Sequence, residues 1–285
     1  MFEYELGCDL NYIVSEPSTL IFNIGVVSND YQKIVTEELH TNVGAKIEEY
    51  VTQIDRNRCF RLNVQPGEFQ ISYRAIVELT HHDADPLDIC EVLPADLPLN
   101  ILPYLYPSRY CQSDRLLRLA ESEFGDLVPG YSRVTAICNW IYDRILYQSG
   151  SSDIGTSACD TVLERVGVCR DFAHLGIAYC RALNIPARFV AGYAYGLNPP
   201  DFHAWFEAYL GDRWYMFDPT RLSPQTGLVR VGTGRDAADV SFANIFGAVQ
   251  MSRMELVMNY LPDAQTSAAQ VPSLTTAAIS MAGEW

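Results

Sequence analysis

From Phe2 to Tyr12 every second residue is apolar (Phe2, Tyr4, Leu6, Cys8, Leu10, Tyr12). A two-residue period puts all six side chains on one face of an extended chain, whereas a helix would scatter them around its axis. The chain therefore begins as a half-buried strand that needs a second apolar layer over it. The same alternation returns at Phe69, Ile71, Tyr73, Ala75, Val77 and Leu79, and strand-like pieces lie between at 20–27, 34–41, 46–54 and 59–64. Turn residues separate them (Ser28-Asn29-Asp30, Pro66-Gly67), so residues 1–95 are predicted to form an antiparallel β-sandwich domain.

Prolines at 86, 94, 98, 103 and 107 interrupt the next stretch, each removing a backbone donor and pushing its predecessor toward extended conformations. Residues 96–112 read as a linker. Beyond it the period changes: 113–124 and 131–146 have helical spacing, the second with Val134, Ile137, Cys138, Ile141 and Ile145 on one face. A further helix follows Cys169, and two aromatic strands come after it. Helices followed by strands, without βαβ alternation, give an α+β core over 113–262. Residues 263–285 are rich in Ala, Ser and Thr, with Glu284 the one ionisable side chain from 265 onward, and read as a loosely packed tail.

With 20 Lys plus Arg against 35 Asp plus Glu, the formal charge of −15 would repel a phosphate backbone, which excludes nucleic acid as a partner. No apolar run approaches the roughly 20 residues needed to span a bilayer; the best, 19–27, is strand-length. The N-terminus carries acids where a signal peptide would have basic residues, so a cytoplasmic location without membrane attachment is expected. The eight cysteines are scattered with no CxxC pair, which argues against both a disulfide framework and a zinc site. Most are expected to be reduced, small core residues.

Cys169 is the exception. It stands in Gly167-Val168-Cys169-Arg170-Asp171-Phe172-Ala173-His174, at the predicted start of a helix that stops before Asn184-Ile185-Pro186. Free N–H groups and the positive end of a helix dipole favour a thiolate there, and Gly167 allows a sharp turn into the helix. Further on, 201–210 and 213–220 flank Gly211-Asp212 as a hairpin, which brings His203 at its first strand near Asp218 at the end of its second. A carboxylate on one imidazole nitrogen fixes the tautomer and steadies the imidazolium. Cys169, His203 and Asp218 thus have the residue types and positions of a cysteine-nucleophile triad.

These segments resemble the transglutaminase-like superfamily in its bacterial form, an N-terminal β domain followed by a transglutaminase core. The resemblance rests on GVCRDFAHLGIAYCRALNIPARFVAGYAYG (167–196), DFHAWFEAYLGDRWYMFDPTR (201–221) and VGTGRDAADVSF (231–242). It implies a papain-like core, with nucleophile, imidazole and carboxylate on Cys169, His203 and Asp218, and attack of the thiol on an amide or related acyl group. The expected partner is a peptide or protein amide substrate, and no cofactor or metal is expected. Hydrolysis is the default, because no local feature marks an amine channel that a protein-glutamine transglutaminase would need. A binding or scaffold protein that keeps the fold without turnover is the alternative of another class; loss of a triad member would favour it, and none is lost.

The oxyanion is expected on the backbone N–H of Cys169 and a donor from Tyr147 or Gln148. Gly232-Thr233-Gly234 lacks the βαβ setting of a nucleotide site and reads as a cleft-lining loop. His81-His82-Asp83 matches no metal-ligand spacing and reads as a solvated loop. His174 reads as a packing or hydrogen-bonding residue, and Trp205, on the strand face of His203, as a cleft wall or a core residue.

Overall fold

The structure is a computed structural model that describes residues 1–53, 55–262 and 272–281. The alternating segment 2–12 lies in strand β1 (Phe2–Val14), followed by β2 (Ser18–Phe22), β3 (Gln32–Thr41), β4 (Glu48–Val51), β5 (Arg58–Val64), β6 (Gly67–Leu79) and β7 (His82–Ala84). Helices α1 (Ser113–Phe124) and α2 (Tyr131–Arg144) come next, then β8 (Leu146–Tyr147), α3 (Ala158–Glu164), β9 (Val166–Gly167) and α4 (Cys169–Ala182). The chain continues through β10 (Ala187–Ala194), β11 (His203–Leu210), β12 (Arg213–Phe217), β13 (Leu228–Gly234), β14 (Ala243–Phe246), β15 (Val249–Leu261) and β16 (Ala278–Ser280). No described helix is long and apolar enough to cross a membrane.

Two four-stranded sheets, β15-β1-β6-β3 and β14-β2-β5-β4, make the N-terminal sandwich. The alternation acts as expected: Tyr4, Leu6, Leu10, Tyr12, Ile71 and Leu79 point into its interior. A third antiparallel sheet, β12-β11-β10-β13, forms the core of the α+β part. Phe189, Phe206 and Ala208 on one of its faces pack with the helices. Val190, Trp205, Met216 and Val229 on the other join the apolar interior of the sandwich. Helix α4 lies close on the central strand because position 176 has no side chain: a Cβ on Gly176 would stand 2.4 Å from the Phe206 ring.

The division of the chain differs from the sequence reading in three places. Strands β14 and β15 fall inside the 113–262 stretch assigned to the core, yet each completes a sheet of the sandwich, β15 pairing along nearly the whole of β1. Pairing partners so distant in sequence leave no local trace. The 96–112 linker is packed: Leu97, Ile101 and Tyr104 form a small cluster with Tyr209 and Trp214 on the back of the hairpin. The buried Arg181 holds it further, donating to the Tyr106 carbonyl at 3.1 Å and the Ser108 hydroxyl at 3.0 Å. Of the 263–285 tail, 263–271 and 282–285 lie outside the described residues, but 278–280 is not loose. It pairs as β16 with β7, burying Ala278, Ile279 and Met281.

A buried ion triad lies on the sheet face that meets the sandwich. Arg188 of β10 and Glu207 of β11 are cross-strand neighbours, and Arg230 of β13 reaches the same carboxylate. Arg188 Nε donates to Glu207 Oε2 at 2.7 Å while its guanidinium covers the Trp214 ring at 4.2 Å. All three charged side chains are buried. Removing the single acid leaves two guanidiniums uncompensated in a medium that solvates them poorly, so Glu207→Ala should lower unfolding free energy by about 3–5 kcal/mol in urea denaturation.

Candidate active site

The turn into α4 is built by the chain around it. Val168 is the N-cap, and the Asp171 carboxylate reaches back to accept the Val168 N–H at 2.9 Å, the half of a capping box that an acid at the third helical position supplies. A Cβ on Gly167 would come within 2.8 Å of the Asp171 side chain, so a glycine is needed where the chain passes that carboxylate. Asp171 also accepts the Ser152 hydroxyl at 3.0 Å, while Arg170 donates to Ser152 Oγ at 2.9 Å, to the Thr156 carbonyl at 3.3 Å and to the Asp153 carbonyl. The residues on either side of Cys169 are thus tied to one another and to the 152–156 loop. Cys169 itself is half-buried at the first position of the helix.

The hairpin supplies the rest. Gly211 and Asp212 both have positive φ, the geometry of a two-residue hairpin turn, and the register that follows sets Phe206 against Phe217. His203 and Asp218 then meet just beyond the paired segment, with His203 Nε2 2.8 Å from Asp218 Oδ2 and both side chains buried. The other carboxylate oxygen is also occupied: Asp218 Oδ1 accepts the Thr220 N–H at 2.9 Å and its hydroxyl at 2.7 Å. With Nε2 engaged by the acid, Nδ1 is the ring nitrogen left for the thiol, and Cys169 Sγ is close enough to act on the ring as a hydrogen-bond partner. Burial alone would pull the His203 pKa down, but the Asp218 carboxylate, with Cys169 adding to it, outweighs this and raises it to about 10. The imidazole is therefore held as a cation through neutral pH.

Tyr147, on β8, brings its hydroxyl to the Cys169 backbone N–H and thiol, and burial with the neighbouring Cys169 pushes that phenol well above its ordinary value. The Gln148 backbone N–H is spent on the Gly167 carbonyl at 3.0 Å, and of the two residues expected to supply a donor it is Tyr147 that contacts Cys169. Asp201 carries a carboxyl raised by burial and lowered by its own Phe202 N–H and by His203. Trp205 is a fully buried core residue whose ring stacks near His203, centroids 6.3 Å apart, and so supports the imidazole from beneath.

The remaining sequence candidates have other places. His174 is completely buried, its Nε2 accepting the Ala237 N–H at 3.1 Å and its ring stacked on Tyr110 at 5.1 Å. Burial holds it neutral, which suits an acceptor. Gly232-Thr233-Gly234 is not a loop but the end of the buried strand β13, paired with Phe189–Ala191 of β10, and Asn57 binds the N–H and the carbonyl of Thr233 on the other edge. His82 and Asp83 belong to β7 rather than to a solvated loop, and His81 lies edge-on to Phe2 at 5.9 Å. Among the described residues no group of three or more His, Cys, Asp or Glu is placed to hold a metal. Arg170, Asp171, Ser152 and Thr220 escaped the sequence reading. Two of them had a signal: an acid three residues after an N-cap, and the Asp-Pro-Thr turn in which a carboxylate accepts from two residues on.

Residues 119–219 match the family described as the transglutaminase-like superfamily, and residues 2–95 match the bacterial transglutaminase N-terminal domain. The crystal structure of a putative cysteine protease from Cytophaga hutchinsonii superposes with a TM-score of 0.91 at 44% identity, covering 98% of this chain and 97% of that one. An uncharacterized protein of Mycobacterium leprae is 32% identical over 117 residues, 38% of this chain and 42% of its own length. One from Mycobacterium tuberculosis is 39% identical over 116 residues, 35% of this chain and 37% of its own. The matched segment thus spans less than half of either mycobacterial relative. The chain belongs to the transglutaminase-like superfamily, with the bacterial transglutaminase N-terminal domain ahead of its core.

Proposed function

We propose that the chain is a cysteine enzyme that hydrolyses amide or peptide bonds of a peptide or protein through a thioester on Cys169, with His203 and Asp218 completing the triad. The observation that carries this reading is the buried 2.8 Å contact between His203 Nε2 and Asp218 Oδ2, which fixes one tautomer and leaves Nδ1 for the thiol. In the first step the Cys169 thiolate attacks the carbonyl carbon; a C–S bond forms, and the C–N bond breaks as His203 gives its proton to the departing amine. Water, losing a proton to His203, then attacks the thioester and releases the acid and the thiol. The Cys169 N–H and the Tyr147 hydroxyl are the donors for the oxyanion. The likeness to a protein described as a cysteine protease supports the same chemistry.

Hydrolysis is preferred over transfer to an amine because Cys169 is itself half-buried beside the 41%-exposed Tyr147, and water needs no binding site there whereas an amine must be bound to compete with it. All eight cysteines are free thiols, which suits the reducing cytoplasm as the place where Cys169 would work.

Mass spectrometry after iodoacetamide treatment at pH 7 tests the nucleophile. Cys169 should label at least about tenfold faster than the exposed Cys90, and His203→Ala should remove that advantage. Equal labelling in the two proteins would discard the triad. On any peptide or carboxamide that the wild type turns over, Asp218→Asn should lower kcat by about a thousandfold or more with little change in KM, because the ring loses its orientation and its counter-charge. Adding monodansylcadaverine as a competing amine should leave the free acid as the main product; predominant amide product would make the enzyme a transglutaminase.

The raised His203 pKa also makes stability depend on pH. A histidine held more basic in the fold than its ordinary 6.5 contributes fully below about pH 6.5 and loses that contribution as pH rises through about 10. The melting temperature should therefore fall across this window, and Asp218→Asn should flatten the fall.

A further inference from the structure

Asp201 is an acid to which the fold gives no counter-charge. Its Oδ1 accepts the Phe202 N–H at 2.7 Å, and among the described residues its carboxylate has no further hydrogen bond and no ion pair with Lys or Arg. Burial raises its pKa, so the surrounding chain takes water from this carboxylate without supplying a cation. The arginines that follow Cys169 and Asp218 in sequence are committed elsewhere: Arg170 to Ser152 and the Tyr110 ring, Arg221 to Asn139 and the Tyr142 ring. An acid that is partly desolvated and left unpaired weakens the fold, and such groups gather at functional sites, where a ligand can supply the missing charge.

Its position gives that charge a use. Asp201 stands two residues before His203, and its charge acts on both the His203 ring and the Tyr147 hydroxyl, so it lies with the groups that surround the Cys169 thiol. The main chain beside it is held. The Phe202 ring stacks on Phe242 with centroids 5.0 Å apart, and Leu197, Pro200 and Asp201 line a narrow crevice against Leu256 and Val257 of β15. Asp201 still reaches solvent, as does Tyr147, whose ring is fixed against Phe172 at 5.7 Å. A carboxylate and a phenol ring that both face water at one thiol are the two parts that hold a lysine or arginine side chain: the ring takes the aliphatic stem, and the acid takes the charged head.

We propose that Asp201 is a specificity-determining residue: with the Tyr147 ring it forms a subsite for a cationic side chain, so the acyl substrate carries Lys or Arg beside the bond that Cys169 attacks. The proposal rests on Cys169 being the nucleophile. It separates the two acids of the site by role. Asp218, buried and paired, serves the imidazole, whereas Asp201, open to solvent and unpaired, serves the substrate. A neutral side chain at the same point leaves the carboxylate without a partner, and an acidic one is repelled.

Charged methanethiosulfonates test the subsite without requiring turnover. In each, the Cys169 thiolate attacks the thiosulfonate sulfur, forms a mixed disulfide and releases methanesulfinate. The 2-aminoethyl, 2-hydroxyethyl and 2-sulfonatoethyl reagents differ in charge at one place. Labelling of Cys169 at pH 7 is read by mass spectrometry, each rate normalised to that of the same reagent with 2-mercaptoethanol. Dividing the aminoethyl rate by the hydroxyethyl rate cancels any change in the thiol itself. That ratio should be about tenfold in the wild type. Asp201→Asn, which keeps an oxygen for the Phe202 N–H, should lower it about fivefold and raise the sulfonatoethyl ratio. Glu38→Gln, which removes an equal charge from the exposed edge strand β3, should leave it within about twofold. No cation preference in the wild type, or one that Asp201→Asn leaves unchanged, would overturn the subsite, while fast and His203-dependent labelling by the neutral hydroxyethyl reagent would leave the triad standing. An equal fall in Asp201→Asn and Glu38→Gln would also overturn it, since the preference would then belong to the net charge of the chain. Hydroxyethyl labelling of Cys169 no faster than Cys90 and indifferent to His203→Ala would overturn both the triad and the subsite.

Discussion

The contact between His203 and Asp218 is a buried charge pair, and most of the architecture around it serves to keep it whole. An acid and an imidazolium taken out of water are stable only when each remaining polar atom is also satisfied. Asp218 meets that condition through Thr220, which occupies its second oxygen with two donors. The hairpin turn at Gly211-Asp212 sets the register that brings the two residues together, and Trp205 supports the ring from the sandwich side. Slippage of one residue in that hairpin would turn every side chain to the other face of the sheet and separate the pair. The site thus depends on sheet register more than on any loop.

The Cys169 thiol is held by a different device. Cys169 gains its position from a helix start, and the acid that caps that start is itself anchored to a neighbouring loop through Ser152 and Arg170. Two independent elements, a helix terminus and a hairpin terminus, converge because α4 packs against β11 at the close approach that Gly176 permits. A bulkier residue at that point would move the helix, and the thiol with it, away from the imidazole.

How much of this was legible in the sequence follows from how local each cause is. Alternation at 2–12 and 69–79 marked β1 and β6, and helical spacing marked α1, α2 and α4, because each pattern is set by neighbours in sequence. The meeting of Cys169, His203 and Asp218 was readable for the same reason: a thiol at a helix start and two ends of one short hairpin. Features set by distant partners were not readable. Gly232-Thr233-Gly234 is a buried strand because it pairs with β10 about forty residues earlier and meets Asn57 from the other end of the chain, and β15 finds β1 only in three dimensions. Residues 278–280, low in charge and Ala-rich, look like a tail until β7 offers them an edge. The short strand β8 carried no pattern at all, since two residues have no period, although it bears the second residue at the nucleophile.

The return of β14 and β15 to the sandwich has a consequence for biosynthesis. The α+β core is, in effect, inserted into the β domain: β1 is made before it, and its partner β15 only after it. Until then one long edge of β1 has no neighbour, and such an edge invites pairing with other chains. While the α+β part is being made the sandwich is still incomplete, and it closes only once β15 has followed that part out of the ribosome. A product terminated before β15 would present an open sheet edge, which gives quality control a feature to recognise.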